Sequence, residues 1–438
     1  MMTGDTKGAL VPVAPRTLEE SGLNIDLVTQ LVLKTLHLAG TLTGVELSAR
    51  LGVNFAVIEP SLDELKWQHH CEIVAGGMLG GPAYKYRITD AGRTRAALFL
   101  EQNHYVGTAP VPIRQYQEYM AAYAEANPIE ATGDEVKAAF SHLVLSPELL
   151  DQLGAAINGG RSMFIYGPPG NGKTVISQAI GKVLHGEIWV PIALEVEGNI
   201  ITLYDPINHE AIDGEAPTDA LDAGPAEDRR WIRCRRPTIT VGGELGLESL
   251  DLAYTPNTGF YQAPVQLLAN GGVLVIDDFG RQKCRPRDLL NRWIVPLESR
   301  IDHLTLQTGR KFDVPFVVLV VFATNLKPAE LVDEAFLRRI HYKIFAQSPS
   351  VADFIRIFES CCEERNLLFD RQLVEELLAT YYRPRAIALR ACQPRDLIEQ
   401  ALSLARYRGM PRELTLDLLQ SACASYFVDD VETPPVYA

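Results

Sequence analysis

The stretch that most constrains this chain is Gly167-Pro168-Pro169-Gly170-Asn171-Gly172-Lys173-Thr174. A short apolar run, residues 162–166, precedes it, and a segment of helical periodicity, residues 175–184, comes after it. Strand, glycine loop, helix is the context that a phosphate-cradling loop needs. The glycines let the backbone wrap close enough for its N–H groups to point at phosphate oxygens, and the following helix adds its positive end. Lys173 is placed to reach the β- and γ-phosphates, and the Thr174 hydroxyl to ligate Mg²⁺. The motif predicts a site for a nucleoside triphosphate, with ATP and Mg²⁺ as the expected ligands.

Size and charge narrow the context. At 438 residues, 47% hydrophobic and 22% charged, the chain has room for two or three domains with ample cores. A net charge of −14 argues against generic attraction to nucleic acid or anionic lipid. No apolar run approaches the roughly 18 residues of a membrane span, and residues 1–15 lack a signal pattern. Seven cysteines without a Cys-x-x-Cys pair read as free thiols, which makes the expected location cytoplasmic.

In chain order, residues 1–20 are Gly/Pro/Thr-rich and expected to be disordered. Residues 21–106 read as three helices (25–39, 45–51 and 54–69), two extended stretches (71–74 and 83–88) and a further helix from Asp90. This order resembles a winged helix, an α+β unit that often reads DNA with its third helix. That helix carries Glu59, Asp63 and Glu64 against Lys66, and residues 23–105 hold seven Lys/Arg against eight Asp/Glu. Phosphate contact needs the opposite sign, so protein docking is the favoured role. Residues 107–130, with Pro110, Pro112 and Pro128, read as a linker.

The nucleotide module is expected over 131–347, with residues 187–194 as its next strand and a hairpin turning at Gly198-Asn199. Arg229, Arg230, Arg233, Arg235 and Arg236 crowd around Trp231. They could meet a neighbouring subunit, a nucleotide or nucleic acid, or form a salt-bridged surface. A second apolar strand, 272–276, ends in Asp277-Asp278, an acid pair delivered beside the glycine loop. Asp277 would hold Mg²⁺ and Asp278 would orient or deprotonate the attacking water. A third strand, 316–323, ends in Thr324-Asn325. Residues 348–428 read as four helices, and 429–438 as a loose tail.

The order of these parts resembles the AAA+ ATPases over roughly residues 131–427. The fold that this implies is α/β: a P-loop parallel-sheet sandwich with a C-terminal four-helix lid, preceded by the α+β winged-helix unit. The resemblance makes Asn325 a sensor-1 residue and puts Arg338 and Arg339, in the run Asp333 to Ile340, in the arginine-finger position. It makes Arg395, in Gln393-Pro394-Arg395-Asp396-Leu397, the sensor-2 contact to phosphate. The 103-position spacing from Thr174 to Asp277, the stretch 259–264 and a hairpin over 301–315 resemble the helix-2 insert and presensor-1 hairpin of the MoxR-like and enhancer-binding branch. The resemblance further implies a homo-oligomeric ring, most naturally a hexamer, that remodels a protein complex, with an unidentified client or adaptor on the winged helix. A DNA-acting ATPase of helicase-loader or transposition-regulator type is the alternative. Asp277-Asp278 departs from the family's usual Asp-Glu, which leaves a slow nucleotide-switched scaffold as a third reading.

Overall fold

The computed structural model describes residues 10–75, 80–212, 226–331 and 337–427, together with the backbone strand Met2–Gly4. Residues 76–79 of the Gly-rich connection expected over 76–82, residues 213–225 of the acidic loop expected over 205–228, Asp333 and Glu334, expected to cap the arginine segment, and the tail expected at 429–438 lie outside the described residues.

At the centre is a five-stranded sheet: β1 (Met163–Tyr166), β2 (Thr238–Val241), β3 (Val273–Ile276), β4 (Leu319–Thr324) and β5 (Tyr342–Phe345). Their spatial order is β2-β3-β4-β1-β5, and every pairing is parallel. Parallel strands covered on both faces read as unbroken apolar runs, and β3 and β4 are buried at every position. Alternation then sorts the side chains. Val273, Val275 and Val321 pack under Ile176, Ile180 and Val183 of helix Lys173–Val183. Leu274, Ile276, Val320 and Phe322 pack under Leu289, Leu290 and Trp293 of helix Pro286–Ser299. This is a P-loop α/β sandwich.

Three expectations are corrected. The run 187–194 is not one strand of the central sheet. Glu187–Pro191 pairs antiparallel with Trp231–Arg235, and Ala193–Val196 joins a separate five-stranded sheet. Pro191 has no N–H for a central ladder, and the chain breaks there; β2 comes about forty residues later. The expected linker is mostly a helix, Ile113–Ala126, with Tyr116, Tyr119, Met120 and Tyr123 buried at helical spacing. The prolines weighed as linker signals only bracket it, Pro112 at its start and Pro128 just beyond its end. Residues 10–20 are structured too, with strand Leu10–Pro12 and helix Leu18–Ser21. Asp228 donates its amide to the Pro12 carbonyl, and Asn54 its side-chain amide to that of Pro15.

The hairpin expected to turn at Gly198-Asn199 turns one residue earlier. Val196 pairs with Asn199, so Glu197 and Gly198 are the central residues, with φ of 49° and 80° as a two-residue primed turn requires. The hairpin of strands Ile301–Thr305 and Lys311–Pro315 is present. It leans on helix Ile113–Ala126 through Gln117, which donates to the Asp313 carbonyl at 2.6 Å.

The N-terminal unit has helices Ile25–Ala39, Gly44–Leu51, Phe55–Trp67 and Asp90–Gln102 around a three-stranded antiparallel sheet of Thr41–Thr43, Lys85–Ile88 and Cys71–Ala75. Gly40 ends the first helix, and Thr43 with Glu46 forms a reciprocal cap on the second. The C-terminal helices Val351–Glu364, Arg371–Leu377, Gln393–Tyr407 and Leu416–Tyr426 share their own core.

One core residue breaks the usual rule. Lys34 is 1% exposed, and its ammonium donates to the Asn103 carbonyl at 3.1 Å. Burial lowers its pKa from 10.5 to about 8. Because the folded value is the lower one, the unfolded chain holds more protons between those limits. Stability therefore rises with pH through that window, and the full penalty applies below it. Lys34→Met should stabilise the fold by about 1–3 kcal/mol at pH 7 and flatten the alkaline rise, as urea unfolding at pH 7 and pH 10 would measure.

Candidate functional site

The glycine loop leaves β1 at Tyr166 and enters helix Lys173–Val183. Gly167 (φ 149°) has no room for a side chain, since a Cβ there would meet the Ala346 carbonyl oxygen at 2.4 Å. Gly170 (φ 80°) faces the C-terminal helices, where a Cβ would lie 2.6 Å from Cys392 Sγ. Its carbonyl accepts the Cys392 amide at 2.9 Å. Asn171 donates to the Ala346 carbonyl at 3.2 Å and to Ser348 Oγ at 3.4 Å. The loop is thus held from both sides by the segments that follow β5.

Lys173 is buried, and its Nζ donates to the carbonyls of Gly167 and Pro168 at 3.1 and 2.9 Å. Burial lowers its pKa, Asp278 and Asp277 oppose that, and Arg390 adds to the lowering. An ammonium folded onto its own loop, with no carboxylate in contact among the described residues, is matched to an arriving phosphate.

The acid pair closes the other side. Strand β3 delivers Asp277, whose Oδ2 accepts the Thr174 hydroxyl at 2.7 Å. A carboxylate and a hydroxyl at this spacing are the hard-oxygen set that suits Mg²⁺, so these residues fit the implied metal. Asp278 follows with φ 47°, a left-handed conformation that aspartate tolerates better than most residues. Its Oδ1 accepts Asn325 Nδ2 at 3.0 Å, because β4 lies next to β3 and runs two residues past its end, which brings Asn325 beside Asp278. Gln282, which no sequence pattern singled out, donates to the carbonyls of Asp277 and Asp278 at 3.0 and 3.2 Å. Its Oε1 accepts the Gly280 amide at 2.7 Å.

Lys173, Thr174, Asp277, Asp278 and Asn325 therefore converge; the three expected arginines do not join them. Arg338 and Arg339 precede β5, whose first residue is level with Met163, whereas the glycine loop begins at the far end of β1. Arg339 also pairs with Glu298 at 2.6 Å. Arg395 is half exposed and pairs with its neighbour Asp396 at 2.9 Å. The arginine that approaches the loop is Arg390, which bonds Ser348 Oγ and lies 3.5 Å, by its Cβ, from where a Cβ on Gly170 would sit. Arg390 lies five residues before Arg395 in the chain. The signal available was a second arginine just before the helix start. Arg390→Ala should lower ATP affinity about tenfold, while Arg395→Ala stays within about twofold, as fluorescent-nucleotide titration would measure.

The cluster around Trp231 is largely consumed within the chain. Arg230, 2% exposed, pairs with Asp228 at 2.8 Å, Arg233 with Glu187 at 2.5 Å and Arg235 with Glu210 at 2.9 Å. Arg236 lies over the Tyr123 ring at 5.5 Å. Among the described residues no helix is long and apolar enough to cross a membrane.

A family described as "Domain of unknown function (DUF8689)" matches residues 350–425, the C-terminal helices. A vesicle-fusing ATPase of Dictyostelium discoideum is 43% identical over 53 residues, which is 12% of this chain and 7% of that protein. Among solved structures, NtrX from Brucella abortus in complex with ADP is 15% identical, covering 68% of this chain and 60% of that one, with a TM-score of 0.39. A mutant of Thermotoga maritima RuvB is 14% identical, covering 69% of this chain and 72% of that one, with a TM-score of 0.37. The chain thus spans a small part of the vesicle-fusing ATPase and less than two thirds of the NtrX chain.

Proposed function

We propose that this chain is an ATP-hydrolysing AAA+ ATPase that works as a ring, most naturally a hexamer, to remodel a protein complex. The observation that carries the reading is the convergence of Thr174 on Asp277 and of Asn325 on Asp278 beside the buried Lys173. Lys173 and the loop amides would hold the β- and γ-phosphates, with Thr174 and Asp277 holding Mg²⁺. The metal would neutralise charge on the phosphates. Asp278, steadied by Asn325, would orient the attacking water and take its proton. Arg390 would contact phosphate from the lid. Arg338 and Arg339 lie at the opposite end of the strands from their own loop, which supports action on a neighbour's nucleotide.

The N-terminal unit, with the element order of a winged helix, serves in this reading to dock a partner. Its third helix presents Glu59, Asp63 and Glu64, and Lys66 is engaged by Asp63 at 2.7 Å. Phosphate release from Mg-ATP, together with light scattering with and without ATP, tests the proposal. Turnover that disappears in Lys173→Ala and an ATP-dependent rise in mass are expected. A wild-type chain that is monomeric under both conditions removes the ring.

A second reading, a DNA-acting ATPase, is favoured by a different feature. Arg281, Lys283, Arg285 and Arg287 are all exposed just beyond the acid pair, and none is in an ion pair among the described residues. DNA-stimulated turnover that falls steeply with salt would support it over the first.

A further inference from the structure

A cavity of about 230 Å³ opens at the edge of the central sheet away from the glycine loop. It is bounded by Tyr123 and Ile129, by Gly272 at the start of β3, and by Val318 and Leu319 at the start of β4. Strand β3 separates it from Asp277, roughly 13–17 Å along the chain at about 3.3 Å per residue. Its lining contains two arginines, Arg236 and Arg300, and no acidic residue.

Both guanidiniums are short of negative charge. Arg300 donates to the carbonyls of Val318 and Gly160, and no carboxylate pairs with it among the described residues. Burial lowers its pKa, and the nearby Arg161 adds to that. Arg236 donates one long bond, 3.4 Å, to the Asn127 carbonyl, while its Nε is buried without a partner. Tyr123 is 3% exposed, and its hydroxyl is likewise buried without a hydrogen-bond partner. Burial raises the Tyr123 pKa, and the charge of Arg236 and a polar contact with its side chain oppose that. The two groups sit beside each other on one wall of the cavity without a bond of good geometry, which leaves donor capacity for a ligand group. Half-buried cations that face no carboxylate carry a partial desolvation cost that an entering anion offsets.

We infer that this cavity is a binding site for a small organic anion, with a carboxylate or phosphate held by Arg236, Arg300 and the Tyr123 hydroxyl. The remainder of the wall is apolar, with Ile129, Leu184, Phe316 and Leu319. The anion therefore carries a compact apolar body. The volume lies below the roughly 300–1,000 Å³ of drug-sized sites, which limits that body to about one ring. The site is independent of the nucleotide reading.

The test is calorimetric titration of the full chain with benzoate and phenyl phosphate, and with benzyl alcohol as the neutral counterpart, each with and without saturating ADP. Saturable binding of either anion, unaffected by ADP and absent for benzyl alcohol, is the expected result. Tyr123→Phe, which keeps the ring and so the fold, should weaken it about fivefold. Arg236→Met should weaken it more than about tenfold, with Arg236→Lys intermediate. If ADP competes, the anions occupy the glycine loop and the inference fails. It fails equally if the anions do not bind, or bind Tyr123→Phe and Arg236→Met as they bind the wild type.

Discussion

Asp278→Asn is expected to bind ATP as the wild type does and to turn it over about 10²–10⁴ times more slowly. The substitution changes little besides the charge. Asparagine tolerates the left-handed φ of 47° as aspartate does, and its amide oxygen still accepts from Asn325. The Thr174–Asp277 contact, which marks the metal position, is one residue away and made by a different carboxylate. What disappears is the group able to take a proton from water. Binding measured with a fluorescent nucleotide and turnover measured as phosphate release should therefore separate. Equal turnover in the variant and the wild type would place the base elsewhere.

The largest effect is expected from the arginines before β5. Arginine fingers contribute roughly 10³–10⁵ in rate, so a ring of Arg338→Ala/Arg339→Ala subunits should be all but inactive. The two are not equivalent: they sit in a turn before β5, where Arg339 is half-buried and pairs with Glu298, and Arg338 is exposed. Single Arg338→Ala and Arg339→Ala subunits would show which of the two carries the effect. Mixing these subunits with Lys173→Ala subunits distinguishes trans from cis action. Each pure assembly should be silent, and mixed assemblies should recover wherever an intact loop faces intact fingers. Proven co-assembly without recovery would exclude a trans role.

The residues at this site differed in how far their sequence exposed them. The glycine loop, the Asp277-Asp278 pair and Asn325 each end an apolar strand, and parallel strands covered on both faces announce themselves as unbroken runs. Their convergence came from sheet order. Arg390 and Gln282 were harder to read because neither sits at a strand end. Arg390 sits just before a helix, and Gln282 bonds to backbone carbonyls that any residue could supply. Strand β2 was missed because Thr238–Val241 is short and half polar, and the stronger apolar run at 187–194 was spent in the neighbouring sheet. Helix Ile113–Ala126 was hidden by prolines at its borders, where a helix tolerates them. The arginines around Trp231 looked available because their partners, Glu187 and Glu210, are distant in sequence.

The single side chain of Gln282 laces the acid pair to Gly280, two carbonyls on one hand and an amide on the other. A turn stitched at both ends has no slack. Losing that one side chain would leave two carbonyls and an amide beside the acid pair without the partner that now joins them.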